Sequence, residues 1–547
     1  MEKVERKIYC CANQIICALG NSTSQVLDAI EQYQSKKENY IDRTKLNFDG
    51  LSEYTFAEQL AILAIKDVII QSKLELNSPR TALILSTTKG NIDTIKSDFQ
   101  KSYLWEMKKR IEAYFNFKGT SLIISNACVS GVSSISIASR MIEQNEIDNA
   151  FIVGVDILGE FIISGFNSFK SVSPTACKPY DKNRDGLTPG EGCGVLLLSS
   201  NKELSNSKII VAGYGISNDA NHISGPSRTG DGLFFAIDKA LKLAGLQASD
   251  IGLINGHGTG TVFNDEMESK AFALAEITSS PCNSLKPYLG HTFGAAGVIE
   301  SILTIEQMKL SKVFGVKGYT ECGVPYELNI SAYHRDATIN HSLKCASGFG
   351  GTNAAIILSK DSVSKSKNRN IQDYNIEKLS SISYHSNEDT NIADQLKADY
   401  KLLEDHNIKF YKMSSLAKAG YIASCRLLKD IQLDIPKDRI AIVLANRSSS
   451  LDTDLKHQEI VEANLPEGAS PAVFVYTLAN IVTSEIAIKH KFQGELTTFV
   501  SEHNSLDFLA GYAHKLINSD ECDAVLYGWC EQLKEYFDVQ LTIITKK

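Results

Sequence analysis

The chain has 547 residues, 43% hydrophobic and 22% charged, with a formal net charge of -8. That length exceeds what one core usually holds, and the acidic balance argues against a general nucleic-acid-binding role while leaving room for a local basic patch. Twelve scattered cysteines without a C-x-x-C pair give a zinc or redox centre little support and suit the cytoplasm.

The charged start, Met1 to Lys7, and the apolar run Ile8 to Leu19 resemble a secretion signal only faintly. Glu2 and Glu5 spoil a basic region, and Asn13 and Gln14 interrupt the apolar one, so a first strand is expected here. No run of eighteen apolar residues predicts a membrane span. Phe56 to Gln71 and Val132 to Gln144 carry helical periodicity. Thr81 to Thr87, Ser121 to Ser125, Ala150 to Val155 and Gly194 to Ser199 read as buried strands. Strands alternating with helices over residues 1–360 predict a layered α/β fold with covered sheets. The polar stretch Ser359 to Asn370 has no apolar period, which predicts a linker at 361–371 and a second unit at 372–547.

The second unit repeats part of the first. Arg80-Thr-Ala-Leu-Ile-Leu-Ser-Thr-Thr-Lys-Gly-Asn-Ile-Asp-Thr94 aligns without a gap to Arg439-Ile-Ala-Ile-Val-Leu-Ala-Asn-Arg-Ser-Ser-Ser-Leu-Asp-Thr453. Phe117-Lys-Gly119 parallels Phe492-Gln-Gly494, and Asn149 to Gly154 parallels Cys522 to Gly528. Several matches in order predict a duplicated half-domain. Where the first copy has Ser125-Asn-Ala-Cys128-Val-Ser-Gly131, the second has Ser501-Glu-His-Asn-Ser505, with His503 near the Cys128 position and no thiol. The second copy is expected to be catalytically silent.

Four segments carry chemistry. Cys128 follows the apolar strand Leu122-Ile-Ile124 and precedes a helical pattern, so its sulfur is expected at a helix N-terminus, where the backbone favours a thiolate. On its own it reads more readily as a buried structural cysteine. Asn255-Gly-His257-Gly-Thr-Gly-Thr261 lets the backbone approach a ligand and offers an imidazole to an oxyanion, or is a plain turn. Lys286 and His291 lie in Asn283-Ser-Leu-Lys-Pro-Tyr-Leu-Gly-His-Thr-Phe-Gly-Ala-Ala-Gly297; a lone lysine is more often solvated. Ala346-Ser-Gly348-Phe349-Gly350-Gly-Thr-Asn353 can present an N–H or swing its ring as a gate, or close a tight hairpin.

Together, over roughly residues 8 to 358, these segments closely resemble the elongating β-ketoacyl-acyl-carrier-protein synthases of the thiolase superfamily. Arg184-Asp-Gly186 and Gly190-Glu-Gly192 are similar to further segments of that family. The resemblance implies a thiolase-like layered α-β-α-β-α fold, followed by a second, partial thiolase-like domain. It implies decarboxylative Claisen condensation, with Cys128 accepting an acyl chain and His257 and His291 holding the malonyl thioester carbonyl. The N–H groups of Cys128 and Phe349 would form the oxyanion hole. Lys286 would pair with Glu268, and Thr259 and Thr261 would contact pantetheine. Gly348, Phe349 and Gly350 would form one gating loop and Asp219 to Ser224 another. No intrinsic cofactor or metal is implied, only the phosphopantetheine of an acyl- or malonyl-loaded acyl carrier protein. A homodimer, or a heterodimer with another ketosynthase-like subunit, is expected. His291 stands where an initiating synthase would carry asparagine, which favours elongation over priming.

The chain departs from the pattern at Ser347, where the family usually has an aromatic residue. The condensing unit is short, which predicts trimmed loops and a trimmed dimer edge. The appended half-domain resembles the half-synthase proteins found beside aryl polyene and flexirubin condensing enzymes, implying an unsaturated or aryl-primed chain. The competing reading is a non-catalytic chain-length partner of another synthase; Cys128, His257, His291 and Lys286 argue against it for the first unit, and the second unit fits it better.

Overall fold

A computed structural model describes residues 6–36, 38–74, 76–364, 372–463 and 468–547. The apolar runs form strands where expected: β1 (Tyr9–Cys17), β2 (Thr81–Ser86), β3 (Thr120–Ile124), β4 (Asn149–Asp156) and β5 (Gly192–Ser199). Helices Phe56–Ser72 and Ser130–Glu143 match the two periodic segments. The first of these starts at a capping box, in which Thr55 and Glu58 satisfy each other's orphan N–H groups. The unit continues through β6 (Ile209–Asn218), β7 (Leu253–Asn255) and β8 (Cys282–Asn283). A small separate pair follows, β9 (Lys312–Val313) and β10 (Arg335–Asp336), and then the hairpin β11 (His341–Gly348) and β12 (Thr352–Lys360). Most of the expected linker lies outside the described residues; Asp361–Val363 form one 3-10 turn.

The second unit contributes β13 (Ile376–His385), β14 (Ile440–Asn446), β15 (Leu496–Val500), β16 (Ala524–Leu533) and β17 (Tyr536–Lys546). All these strands except β9 and β10 join one 15-stranded sheet, in the order β13-β17-β16-β14-β15-β3-β2-β4-β5-β1-β6-β12-β11-β7-β8. Read outward from the β15–β3 joint, β15-β14-β16-β17-β13 repeats β3-β2-β4-β5-β1 strand for strand. The joint is antiparallel, with Phe499 opposite Ile124, so the two arrays face each other across a pseudo-two-fold axis. The β3 edge is therefore not trimmed; it is covered by the chain's own second unit.

The repeat extends to side chains. Arg80 Nε lies 2.6 Å from Asp148, and Arg439 Nε lies 2.9 Å from Asp523 at the matching place. Left-handed residues Asn116 and Lys491 end matching helices. A Cβ on Gly119 would sit 1.8 Å from the Thr81 carbonyl oxygen, and one on Gly494 would sit 2.4 Å from that of Ile440. Both copies need glycine for the chain to pass the strand start. One alignment detail changes. Strands β3 and β15 end at Ile124 and Val500, and the next helices begin at Ser130 and Leu506. The counterpart of Cys128 is therefore Asn504, while His503 matches Ala127 and points its ring to solvent.

Buried polar groups lock the halves together. Arg140, on the helix after Cys128, meets Glu495 at 2.7 Å and Glu521 at 2.5 Å and touches the Tyr512 hydroxyl. Lys89 meets Asp454 at 2.6 Å and the Thr477 carbonyl. Asn126 behaves as an extra peptide at the joint: Oδ1 accepts from Thr498 N at 2.8 Å, and Nδ2 donates to Leu496 O at 3.2 Å.

Candidate active site

Cys128 stands at the end of β3, in a 3-10 turn, Ala127–Val129, that feeds helix Ser130–Glu143. Ala127 has φ +48°, a left-handed conformation costing an alanine roughly 1 kcal/mol. That turn swings Cys128 out of the sheet. The residue as a whole is half-buried. Low surrounding polarity pushes its thiol up to about 12, with Lys286 pulling the other way. Burial thus works against the thiolate expected at the helix start, and Lys286 works for it.

His257 follows β7 and is placed by carboxylates from helix Val262–Leu274. Glu268 accepts from the N–H groups of His257 at 2.6 Å and Gly258 at 2.7 Å. Asp265 accepts from Thr259 N at 3.1 Å and Tyr180 N at 2.7 Å. His291 follows the short helix Lys286–Leu289 and is tied by its backbone to Thr188 and Gly190. The two imidazoles meet edge to face, with centroids 5.1 Å apart.

The expected Lys286–Glu268 pair does not form. Lys286 Nζ lies 2.7 Å from Glu300 Oε1, and the other oxygen of Glu300 holds Lys344 at 2.5 Å. Glu268 is committed to the His257 loop, and Glu300 reaches the lysines from helix Phe293–Leu310. Lys286 Nζ also faces His257 Nδ1 at 3.4 Å. An ammonium there demands an acceptor, so the His257 proton sits on Nε2. Burial, then the neighbouring lysines, hold both histidines well below the ordinary imidazole value; for His257 the charge of His291 adds to this. Both rings are neutral at physiological pH. Lys344 and Glu300 were not singled out from sequence. Each is a lone charge in an apolar stretch, Leu343-Lys-Cys-Ala346 and Val298-Ile-Glu-Ser-Ile302, and that was the available signal.

The ligand atoms of Cys128, His257 and His291 all lie within 4.8 Å of one another. These three, with Thr259, Thr261, Gly348, Phe349, Asp219 and Ser224, line one cavity of about 400 Å³. Lys286, Glu268 and Gly350 stand behind its wall. Thr259 and Thr261 share a hydroxyl contact of 2.9 Å. Asp219 joins the two candidate gating loops, accepting from Asn353 Nδ2 at 2.7 Å and from Ser227 N at 2.8 Å. Ser347, in the usual aromatic position, donates to Asn353 Oδ1 at 2.7 Å. The N–H groups of Cys128 and Phe349 make no hydrogen bond to another described residue. Sequence reasoning missed Phe166 and Phe169, whose rings flank Phe349 in the cavity. A second hollow of about 890 Å³ adjoins the mouth. Arg228 and Lys270 of the first unit and Lys409, Lys437 and Lys491 of the second line it, outnumbering the carboxylates of Asp219, Asp231 and Glu266.

Residues 86–203 match the description "Beta-ketoacyl synthase, N-terminal domain", and residues 209–316 match "Beta-ketoacyl synthase, C-terminal domain". The first unit belongs to the β-ketoacyl synthase family. Among named relatives, "3-oxoacyl-[acyl-carrier-protein] synthase 2" of Vibrio cholerae is 28% identical over 364 residues, 60% of this chain and 86% of that protein. The protein of that name from Staphylococcus aureus is 27% identical over 361 residues, covering 59% and 85%. A solved ketosynthase (ApeO) in complex with its chain length factor (ApeC) from Xenorhabdus doucetiae is 27% identical, with TM-score 0.58, covering 65% of this chain and 98% of that one. A structure described as "PfaC Keto synthase-Chain length factor" covers 99% of this chain and 78% of its own, at TM-score 0.79 and 14% identity. That last likeness speaks to fold alone, and it spans both halves of the sheet. Among the described residues, no helix is long and apolar enough to cross a membrane.

Proposed function

We propose that this chain is an elongating ketosynthase that condenses an acyl chain on Cys128 with a malonyl group borne by an acyl carrier protein. The observation that carries this is the meeting of one thiol, two neutral imidazoles and two free N–H groups in a single cavity. Lys286 occupies the acceptor nitrogen of His257, so His291 is the imidazole with an acceptor free for the thiol proton. The thiolate attacks the incoming thioester, the carrier's thiol leaves, and His291 returns the proton to it. Malonyl-carrier then loses carbon dioxide. The His257 Nε2–H holds the enolate oxygen, with His291 beside it. The enolate carbon attacks the acyl carbonyl, whose oxyanion the Cys128 and Phe349 N–H groups receive, and the Cys128 thiolate is expelled.

The reaction needs no resident cofactor. A metal on the Cys-His-His set is the rival chemistry; Lys286 and Lys344 immediately behind the histidines disfavour a dication there. The carrier would dock over the basic hollow, its phosphopantetheine passing Thr259 and Thr261. Phe166, Phe169 and Phe349 suit a flat, unsaturated or aryl-primed acyl group. The second unit takes the chain-length-partner role within the same chain, so a second copy is not required at β3. Twelve unpaired cysteines support a cytoplasmic setting.

The test is intact-mass analysis of the protein with acyl- and malonyl-loaded carrier. Acyl-Cys128 and then a β-ketoacyl-carrier product are expected. Acylation persisting in Cys128→Ala would overturn the nucleophile.

A further inference from the structure

Phe349 belongs to the β11–β12 turn of the first unit, yet its carbonyl is held from the second. Asn480 Nδ2 donates to Phe349 O at 2.9 Å. Asn480 is fully buried and stands at the start of helix Ile481–His490. An asparagine in that position ordinarily turns its side-chain oxygen to its own helix's first N–H groups. This one makes no such cap, and its Oδ1 has no partner among the described residues. A buried amide that forgoes its own helix and leaves an acceptor unpaired is diverted to the gate.

The surroundings agree. A Cβ on Gly350, whose φ is +90°, would lie 2.2 Å from Ser484 Oγ and 2.6 Å from Asn480 Nδ2, so the loop closes directly on this helix. Asn218 Nδ2 donates to Gly350 O at 3.0 Å, while its own N–H donates to Gln493 O at 3.1 Å. Lys491 Nζ donates to Ala220 O at 3.1 Å. Phe474 packs on Phe166 and Phe169, the rings that flank Phe349. The second unit thus reaches both candidate gating loops.

We propose that Asn480 is a positioning residue through which the second unit holds the Phe349 gate shut over Cys128, with the Phe349 N–H aimed at the reacting carbonyl. This rests on the ketosynthase reading above. The informative variants are Asn480→Ser and Asn480→Asp. Both residues cap helices well, so an Asn480 that served only its own helix predicts an unchanged gate in both variants, whatever a buried carboxylate costs the aspartate variant in stability. Neither reproduces the amide donor to the Phe349 carbonyl: serine is too short, and an aspartate, when ionised, only accepts.

Hydrogen exchange of substrate-free protein is expected to quicken at Gly350 and Gly351, whose N–H groups bond Ile223 O and Gly348 O, by about tenfold, with the sheet amides unchanged. In turnover, acyl transfer to Cys128 should be kept, carbon–carbon bond formation should fall about tenfold, and hydrolysis of acyl-Cys128 should rise. Lys109→Ala, which removes an exposed contact between the units at Glu502, should change none of these. Wild-type exchange at Gly350 and Gly351 in both variants would overturn the proposal. Wild-type protein that never acylates Cys128 would instead sink the ketosynthase reading, while the exchange comparison would still decide the role of Asn480.

Discussion

Arg140 Nη2 lies 2.7 Å from Glu495 Oε2, across the joint between the two halves, with both side chains buried. The arginine is on the helix that starts two residues after Cys128, and the glutamate stands just before β15. Removing residues 361–547 would strand this guanidinium and the Lys89 ammonium and uncover the β3 edge. Losing one partner of a buried pair costs about 3–5 kcal/mol, and an open edge invites aggregation. The truncated first unit is expected to be insoluble or aggregated on size-exclusion chromatography. A monodisperse, active truncation would show that the second unit is dispensable.

The histidines should separate by step. His257→Ala is expected to lower decarboxylation of malonyl-carrier by about 10²–10³-fold while Cys128 is still acylated. His291→Ala should impair both steps, because the thiol proton loses its acceptor. Rapid-quench mass spectrometry of each half-reaction distinguishes these, and equal loss in both steps for both variants would refute the division of labour.

The thiol should behave as a weak acid. With its pKa pushed up to about 12 by burial, the thiolate fraction rises tenfold per pH unit throughout the working range. Alkylation of Cys128 by iodoacetamide should still be climbing with unit slope at pH 10, where an ordinary cysteine has levelled off. A plateau below pH 8 would mean an activated thiolate instead.

Glu300 serves two ammonium groups. Burial alone would raise its carboxyl, but Lys286 and Lys344 outweigh that and hold it low. Glu300→Gln leaves two buried positive charges uncompensated and should cost about 3–5 kcal/mol in urea unfolding. Lys344→Met leaves a neutral Lys286–Glu300 pair and should cost distinctly less. The reverse ranking would place the cluster's stabilisation elsewhere.

The basic hollow yields a substrate-dependent effect. Lys409→Glu with Lys437→Glu is expected to raise KM about tenfold for carrier-borne substrates and to leave short pantetheine thioesters unaffected. The difference should shrink as salt is added. An equal change for both substrate types would point to distortion of the cavity.

Much of the fold was legible because its strands are short, continuous apolar runs. Leu83 to Leu85 and Ile442 to Leu444 announce themselves, and the repeated Arg-Thr/Ile-Ala spacing ties the halves. Cys128, His257 and His291 were legible because glycines and small residues frame them. The Glu300 pairing was not, since the choice between two acids depends on how helix Phe293–Leu310 docks. The β3–β15 joint was invisible because Ile124 and Phe499 meet only after both units have folded. Asn480 carries no motif; its meaning lies wholly in a contact across that joint.

A symmetric homodimer must use one surface twice, so every residue near its axis answers to its own mirror image. Here the axis runs through a single polypeptide. Asn126 and its counterpart Glu502 differ, as do Cys128 and Asn504, and each side of the joint is free to specialise. One flank can keep the reagents of bond formation while the other becomes a dedicated clamp, a division that two copies of one gene product could not encode.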